Sequence, residues 1–150
     1  MNELKNVKIT RLLNAVAAGT TEQAGSVLDM EGYEGVMFIA SFGTLTATQV
    51  TSLNARAGDA SDGSDATTSA ADLAGSKVGP LADGDSNKGL VLDVYRPQKR
   101  YIRPVIVRGT ANAVIDGVWA IQYSARLGPT TQPTSVAASK QLASPAIGTA

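Results

Sequence analysis

The sequence predicts an all-β chain: an antiparallel β-sandwich, jelly-roll-like, with about eight strands and an extended C-terminal tail. Three observations carry this. Short apolar runs recur between turn signals, and the best of them alternate with the two-residue period of a strand. Gly, Ala, Ser and Thr are abundant while charged residues make up only 17% of the chain, which suits turn-rich β structure better than a helical bundle. The connections between runs are too short for the crossover helices of a parallel sheet. A chain of 150 residues forms one ordinary core, so residues 1–126 are assigned to one sandwich domain and residues 127–150 to the tail.

The elements follow in order. In VKITRLLNAVAAG an amphipathic helix could be drawn from Leu12, Leu13, Val16 and Ala17. Strand is preferred, because Val7, Ile9 and Arg11 alternate with Lys8 and Thr10, and Gly19 closes the run. MEGYEGV reads as turns leading into a strand. In VMFIASF, Val36, Phe38, Ala40 and Phe42 share one face, and Met37, Ile39 and Ser41 the other. Both faces are largely apolar, so this strand is expected to be buried on both sides. Residues 44–57 form another candidate strand, with Gln49, Thr51, Leu53 and Ala55 on one face. In LVLDVY, Leu90, Leu92 and Val94 oppose Val91, Asp93 and Tyr95. TANAVIDGVWAIQYSA reads as a hairpin about Asp116-Gly117, a pair suited to tight turns, as is Asp83-Gly84. Within it Trp119, Ile121, Tyr123 and Ala125 are assigned to the core face because the aromatic members bury the most area.

The last 24 residues change character, with three prolines and only scattered apolar side chains. Two readings stand. The segment is a disordered tail, or it is an arm laid on a neighbouring molecule, reaching roughly 80 Å at about 3.3 Å per residue, with Val136, Leu142 and Ile147 as anchors.

The chain has no histidine and no cysteine, which excludes Ser-His and Cys-His catalysis, disulfides and Cys/His zinc sites. Asp29, Glu31 and Glu34 lie close in sequence but form no recognisable acid–base geometry, and are read as turn carboxylates. Asp59, Asp62, Asp65 and Asp72 offer the oxygen ligands calcium prefers, yet lack EF-hand spacing. They are read as exposed turn residues accepting local backbone hydrogen bonds. No phosphate-cradling glycine loop is present. No apolar run reaches the roughly 20 residues a membrane helix needs, and MNELKNVKIT has no signal-type apolar region. The expectation is a non-enzymatic protein with no cofactor, metal or membrane partner.

The stretch RPQKRYIRPVIVRGT carries five cations, Arg96, Lys99, Arg100, Arg103 and Arg108, in a chain of 13 basic and 13 acidic residues. Tyr95 and Tyr101 could stack bases beside them. Alternation divides the cations between two faces, however, and Pro97 and Pro104 suit a turn and a sheet edge or bulge. The stretch is therefore read as a turn and a structural strand whose cations seek protein carboxylates, with no nucleic-acid partner.

The segment GLVLDVYRPQKRYIRPVIVRGTANAVIDGVWAIQYSARLGPTTQPT, with DMEGYEGVMFIASFG before it, resembles small head proteins of tailed bacteriophages, notably the jelly-roll cement or decoration proteins that coat capsid shells. The likeness runs over most of the chain. It implies a virion component made in the host bacterial cytoplasm, bound to the outer surface of the major capsid protein as a homo-oligomer, dimer or trimer. It transfers no catalytic residues. Under it, the two-sided strand at residues 36–42 would cover an inter-subunit seam. Arg103 and Arg108 would pair with capsid carboxylates, for which the guanidinium fork is suited. Two other readings compete: a head-fibre base or tail component, and a carbohydrate-binding β-sandwich module. The second is disfavoured by the assignment of Trp119 to the core, which leaves few exposed rings.

Overall fold

The computed structural model describes residues 3–143 and 147. Among the described residues nine strands form: β1 (Lys8–Leu13), β2 (Val16–Gly19), β3 (Gln23–Ala24), β4 (Leu28–Asp29), β5 (Tyr33–Leu45), β6 (Ser52–Gly58), β7 (Gly89–Tyr95), β8 (Tyr101–Val107) and β9 (Ala113–Ala125). They build two antiparallel sheets. The first runs β1-β9-β5-β7, with β2 continuing beside β9; in the second, β8 has β6 on one side and β3 and β4 on the other. The free edge of β6 is extended by residues 72–78, where Leu53 and Val78 exchange backbone bonds of 2.9 and 2.7 Å and Leu73 donates to the Ala55 carbonyl at 2.9 Å. The chain thus alternates between sheets as a jelly roll requires.

The core lies between the sheets. Val36, Phe38, Ala40 and Phe42 of β5 point into it and meet Leu53 and Ala55 of β6, Ile102 and Ile106 of β8, and Ile115, Val118 and Ala120 of β9. Phe38 and Phe42 are fully buried, and burial of each contributes roughly 1.5–3 kcal/mol. Strand β5 is central, paired with β7 and β9. Its second face, Met37, Ile39 and Ser41, is only half-buried, so the expectation of burial on both sides holds for one side alone.

The Asp116-Gly117 pair is not a hairpin. It is a bulge inside the single strand β9: Ser41 pairs with Gly117 and Phe42 with Ile115, leaving Asp116 as the extra residue, and Gly117 takes a φ of 151°. The bulge reverses the parity of the strand. Ala113 and Ile115 face the core before it, and Val118, Ala120 and Gln122 after it. Trp119, Ile121 and Tyr123 consequently face outward, contrary to the expected core face. Volume agrees with this register, since Ala120 sits opposite the large Phe38.

Pro104 also departs from expectation, because β8 is the central strand of its sheet. The missing donor is tolerated through a gap in the neighbour. The Pro104 carbonyl accepts from Gly25 at 2.8 Å, and a residue's nitrogen points to the same side as its carbonyl, toward the break between β3 and β4. A Cβ on Gly25 would lie 2.8 Å from the proline ring, so glycine there allows the close approach.

The candidate strand at residues 44–57 is split: Leu45 ends β5, a turn intervenes, and β6 starts at Ser52.

Candidate partner surfaces

The cations of residues 96–108 are consumed inside the chain. Arg96 pairs with Glu34 at 3.5 Å, Lys99 with Asp59 at 2.5 Å, and Arg100 with Asp29 at 2.8 Å and also with Glu31. The Arg100 hydrogen bond, helped by a backbone bond from Glu31, holds the Asp29 carboxyl below its ordinary range against an opposing effect of burial. Asp59 in turn raises Lys99. Arg100, Arg96, Glu31, Glu34 and Arg126 border an open groove of about 540 Å³ at this end of the sandwich.

Arg103 is half-buried on the outer face of the second sheet, and its Nε donates to the Gly25 carbonyl at 3.0 Å. Arg108 is only 6% exposed. Its Nε donates to the Thr21 carbonyl at 2.8 Å and its Nη1 to the Ala17 and Ala113 carbonyls at 3.1 and 2.7 Å. Burial lowers its pKa, with no carboxylate to oppose the effect. Arg108 therefore staples β8 to β2 and β9 of the opposite sheet and has no free face for a capsid carboxylate, which corrects its assignment as a partner contact.

Arg56 escaped the sequence reading. It is 3% exposed, forms a two-pronged pair with Glu22 at 2.7 and 2.9 Å, and binds Asp72 at 2.7 Å and the Thr67 carbonyl at 3.0 Å. It pins the acidic loop over the second sheet. Within that loop Asp65 accepts from the Asp59 and Ala60 amides, at 2.6 and 3.2 Å, and Asp62 from the Ser64 amide at 3.0 Å; these bonds lower both pKa values. Among the described residues no three His, Cys, Asp or Glu side chains cluster as a metal site.

The outer face of the first sheet carries an apolar cluster. Strand register aligns Ile9, Ile121, Met37 and Asp93 in one row across β1, β9, β5 and β7, and Arg11, Trp119, Ile39 and Val91 in the next. Val91 and Tyr95 are 52% and 58% exposed. The Arg11 guanidinium lies 5.6 Å from the centre of the Trp119 ring, near enough for a cation–π contact. Tyr123 lies over Gly35 and donates to Asp93 at 2.6 Å.

The first part of the tail lies on its own chain. Gln132 and Thr130 bond the Val7 carbonyl, both at 2.7 Å, and Ile9 and Arg11 donate their amides to Gln132 and Ser135 at 2.9 and 3.3 Å. Val136 is half-buried here, near Leu4, while Leu142 and Ile147 are exposed. Arg103, Arg108, Val136, Leu142 and Ile147 do not converge on one site. No model of a known protein family matches the chain, and no curated protein matches it.

Proposed function

We propose that the chain is a non-enzymatic structural protein of a bacteriophage head, which docks as a homo-oligomer on the outer surface of the major capsid protein and cements neighbouring subunits. The observation that carries this reading is the outer face of the first sheet, where Met37, Ile39, Trp119, Ile121 and Val91 cluster, with the charged Arg11 and Asp93 at its two edges, each engaged by an aromatic neighbour. A core-like patch with a polar rim is what a protein interface needs. Cementing requires no chemistry: a specific contact buries on the order of 1,600 Å², and a subunit that touches two capsid proteins must lose both contacts before they separate. Neither nucleic acid nor a membrane is part of this reading, and the pairing of the cationic strip with Glu34, Asp59, Asp29 and Glu31 favours that restriction.

Mass spectrometry of purified particles tests the location, with hundreds of copies expected; about a dozen would indicate a vertex or tail component, and absence would defeat both. Val91→Asp tests the face. At an exposed strand position it should cost about 1 kcal/mol of folding stability, which leaves the chain folded, yet reduce attachment to particles lacking the protein at least tenfold. Undiminished attachment would remove the outer face from the proposal.

One observation favours a second reading. Trp119 and Tyr95 stand on the outer face, where rings could stack on sugar. A carbohydrate-binding module predicts a saturable shift of Trp119 fluorescence on titration with bacterial polysaccharide; a flat titration leaves the capsid reading alone.

A further inference from the structure

A bare strand edge is a template for another chain. The free edge of β1 and its lead-in presents the Lys5 and Val7 carbonyls and the Ile9 and Arg11 amides, all at alternate residues. Each is met by the tail: Thr130 donates its amide to Lys5 at 2.8 Å, Thr130 and Gln132 side chains donate to Val7, and Gln132 and Ser135 accept from Ile9 and Arg11. The tail is not a strand there. Side-chain amide and hydroxyl groups largely stand in for the backbone of a paired strand.

We propose that this strap is exchanged between copies, residues 130–136 of one molecule closing the β1 edge of a second and the second reciprocating. Three features support exchange. No residue of 127–143 is fully buried, so the strap is held mainly by polar bonds and the half-buried Val136 rather than by a core anchor. The strap also has a hinge. The body ends its backbone bonding at Arg126, which donates to Gly32, and bonding resumes only at Thr130, with Leu127 between them 89% exposed. Finally, every copy carries the same strap and the same edge, so exchange preserves each bond and changes only the entropy of closure. The hinge of Leu127, Gly128 and Pro129 spans about 10 Å at roughly 3.3 Å per residue, which requires two β1 edges to lie side by side in a reciprocal pair. Exposed Leu142 would then extend beyond the strap onto the partner copy.

A short tether gives the closed strap an effective concentration near the millimolar range. Exchange is therefore expected in concentrated solution or where copies are packed side by side, and not in dilute solution. This inference does not rest on the capsid reading, because free copies suffice for it.

The test uses the full chain. Equal amounts of isotope-labelled and unlabelled protein are unfolded together in urea, refolded and concentrated to about 1 mM, the scale set by the tether. Isotope-filtered NOE spectra then report only contacts between different molecules. Exchange predicts filtered contacts from Gln132 and Ser135 to Val7, Ile9 and Arg11, together with a mass that falls from dimer to monomer on dilution. The proposal is overturned if those contacts appear only in the unfiltered spectrum, if they appear in neither, or if a dimer forms without them.

Discussion

Replacing Arg108 by methionine separates a structural staple from a partner contact. The change keeps length and apolar stem but removes the donors to the Thr21, Ala17 and Ala113 carbonyls, in a side chain only 6% exposed. Ala113 is fully buried, and its carbonyl left unpaired costs about 1–3 kcal/mol. Ala17 and Thr21 are exposed, so water can replace the bond at each carbonyl and the loss there is about 0.5–1.5 kcal/mol apiece. Against roughly 2–6 kcal/mol in all stands relief from burying a cation, whose cost is visible in the lowered pKa of Arg108. A net loss of about 2–4 kcal/mol is expected, large for a single substitution. With a urea m-value of about 1–3 kcal/mol/M, the unfolding midpoint should fall by about 1–2 M. Arg108→Lys keeps the charge but gathers its donors on one nitrogen, so it should recover only part of the loss. Urea titrations followed by Trp119 fluorescence and circular dichroism provide the assay. If Arg108→Met lies within about 1 kcal/mol of the parent, the three carbonyl bonds are not what holds this corner, and the staple assigned to Arg108 is refuted.

Further outcomes follow from the same geometry. Gly35→Ala should cost about 1–3 kcal/mol, because a Cβ there would fall within the Tyr123 ring; adding Tyr123→Ala should cancel much of that loss in a double-mutant cycle. The Asp29 carboxyl is held below its ordinary 3.8 mainly by Arg100, so its contribution is present above pH 3.8 and lost as pH falls through the depressed value. Arg100→Gln should therefore flatten the acid limb of a plot of Tm against pH; an unchanged limb would contradict the assignment. Burial, reinforced by Asp93, pushes the Tyr123 phenol up to about 12. Its contribution is complete below 10.0, the ordinary value, and declines as pH rises toward about 12, so Tyr123→Phe should remove the last step of an absorbance titration at 295 nm.

The sheet architecture was readable where alternation ran uninterrupted. LVLDVY shows its inward set directly, and β7 turns Leu90, Leu92 and Val94 inward as read; VMFIASF divides into the two expected faces, of which β5 fully buries one. The reading failed where one residue was added to a strand. Asp-Gly is a turn signal by composition, but the same freedom at Gly117 serves a bulge, and the bulge moved Trp119 to the outside. Nothing local distinguishes the two uses, since the choice depends on β5 pairing along the whole of β9. Pro104 misled similarly: its missing donor was legible, whereas the matching gap beside Gly25 belongs to a strand about eighty residues away. Arg56 and Arg108 looked like ordinary cations because their partners, Glu22, Asp72 and three scattered carbonyls, are assembled only by the fold.

These errors share a physical consequence for function. The sequence reading places Trp119 inside and offers Arg103 and Arg108 to partner carboxylates, which gives recognition an electrostatic part beside the apolar strand at residues 36–42. In the folded chain Arg56 and Arg108 are buried and Arg96, Lys99 and Arg100 face carboxylates of their own chain, while Trp119, Ile121, Met37 and Ile39 form part of the outer face. Attachment through such a face would depend on apolar area, and exposed ion pairs would contribute little to it. It should therefore weaken only slightly as salt rises from 0.05 to about 0.5 M, a range that screens exposed charges strongly. Attachment measured by particle sedimentation that collapses over this range would point instead to the Arg96, Arg100 and Arg126 groove, and the apolar face would lose its role.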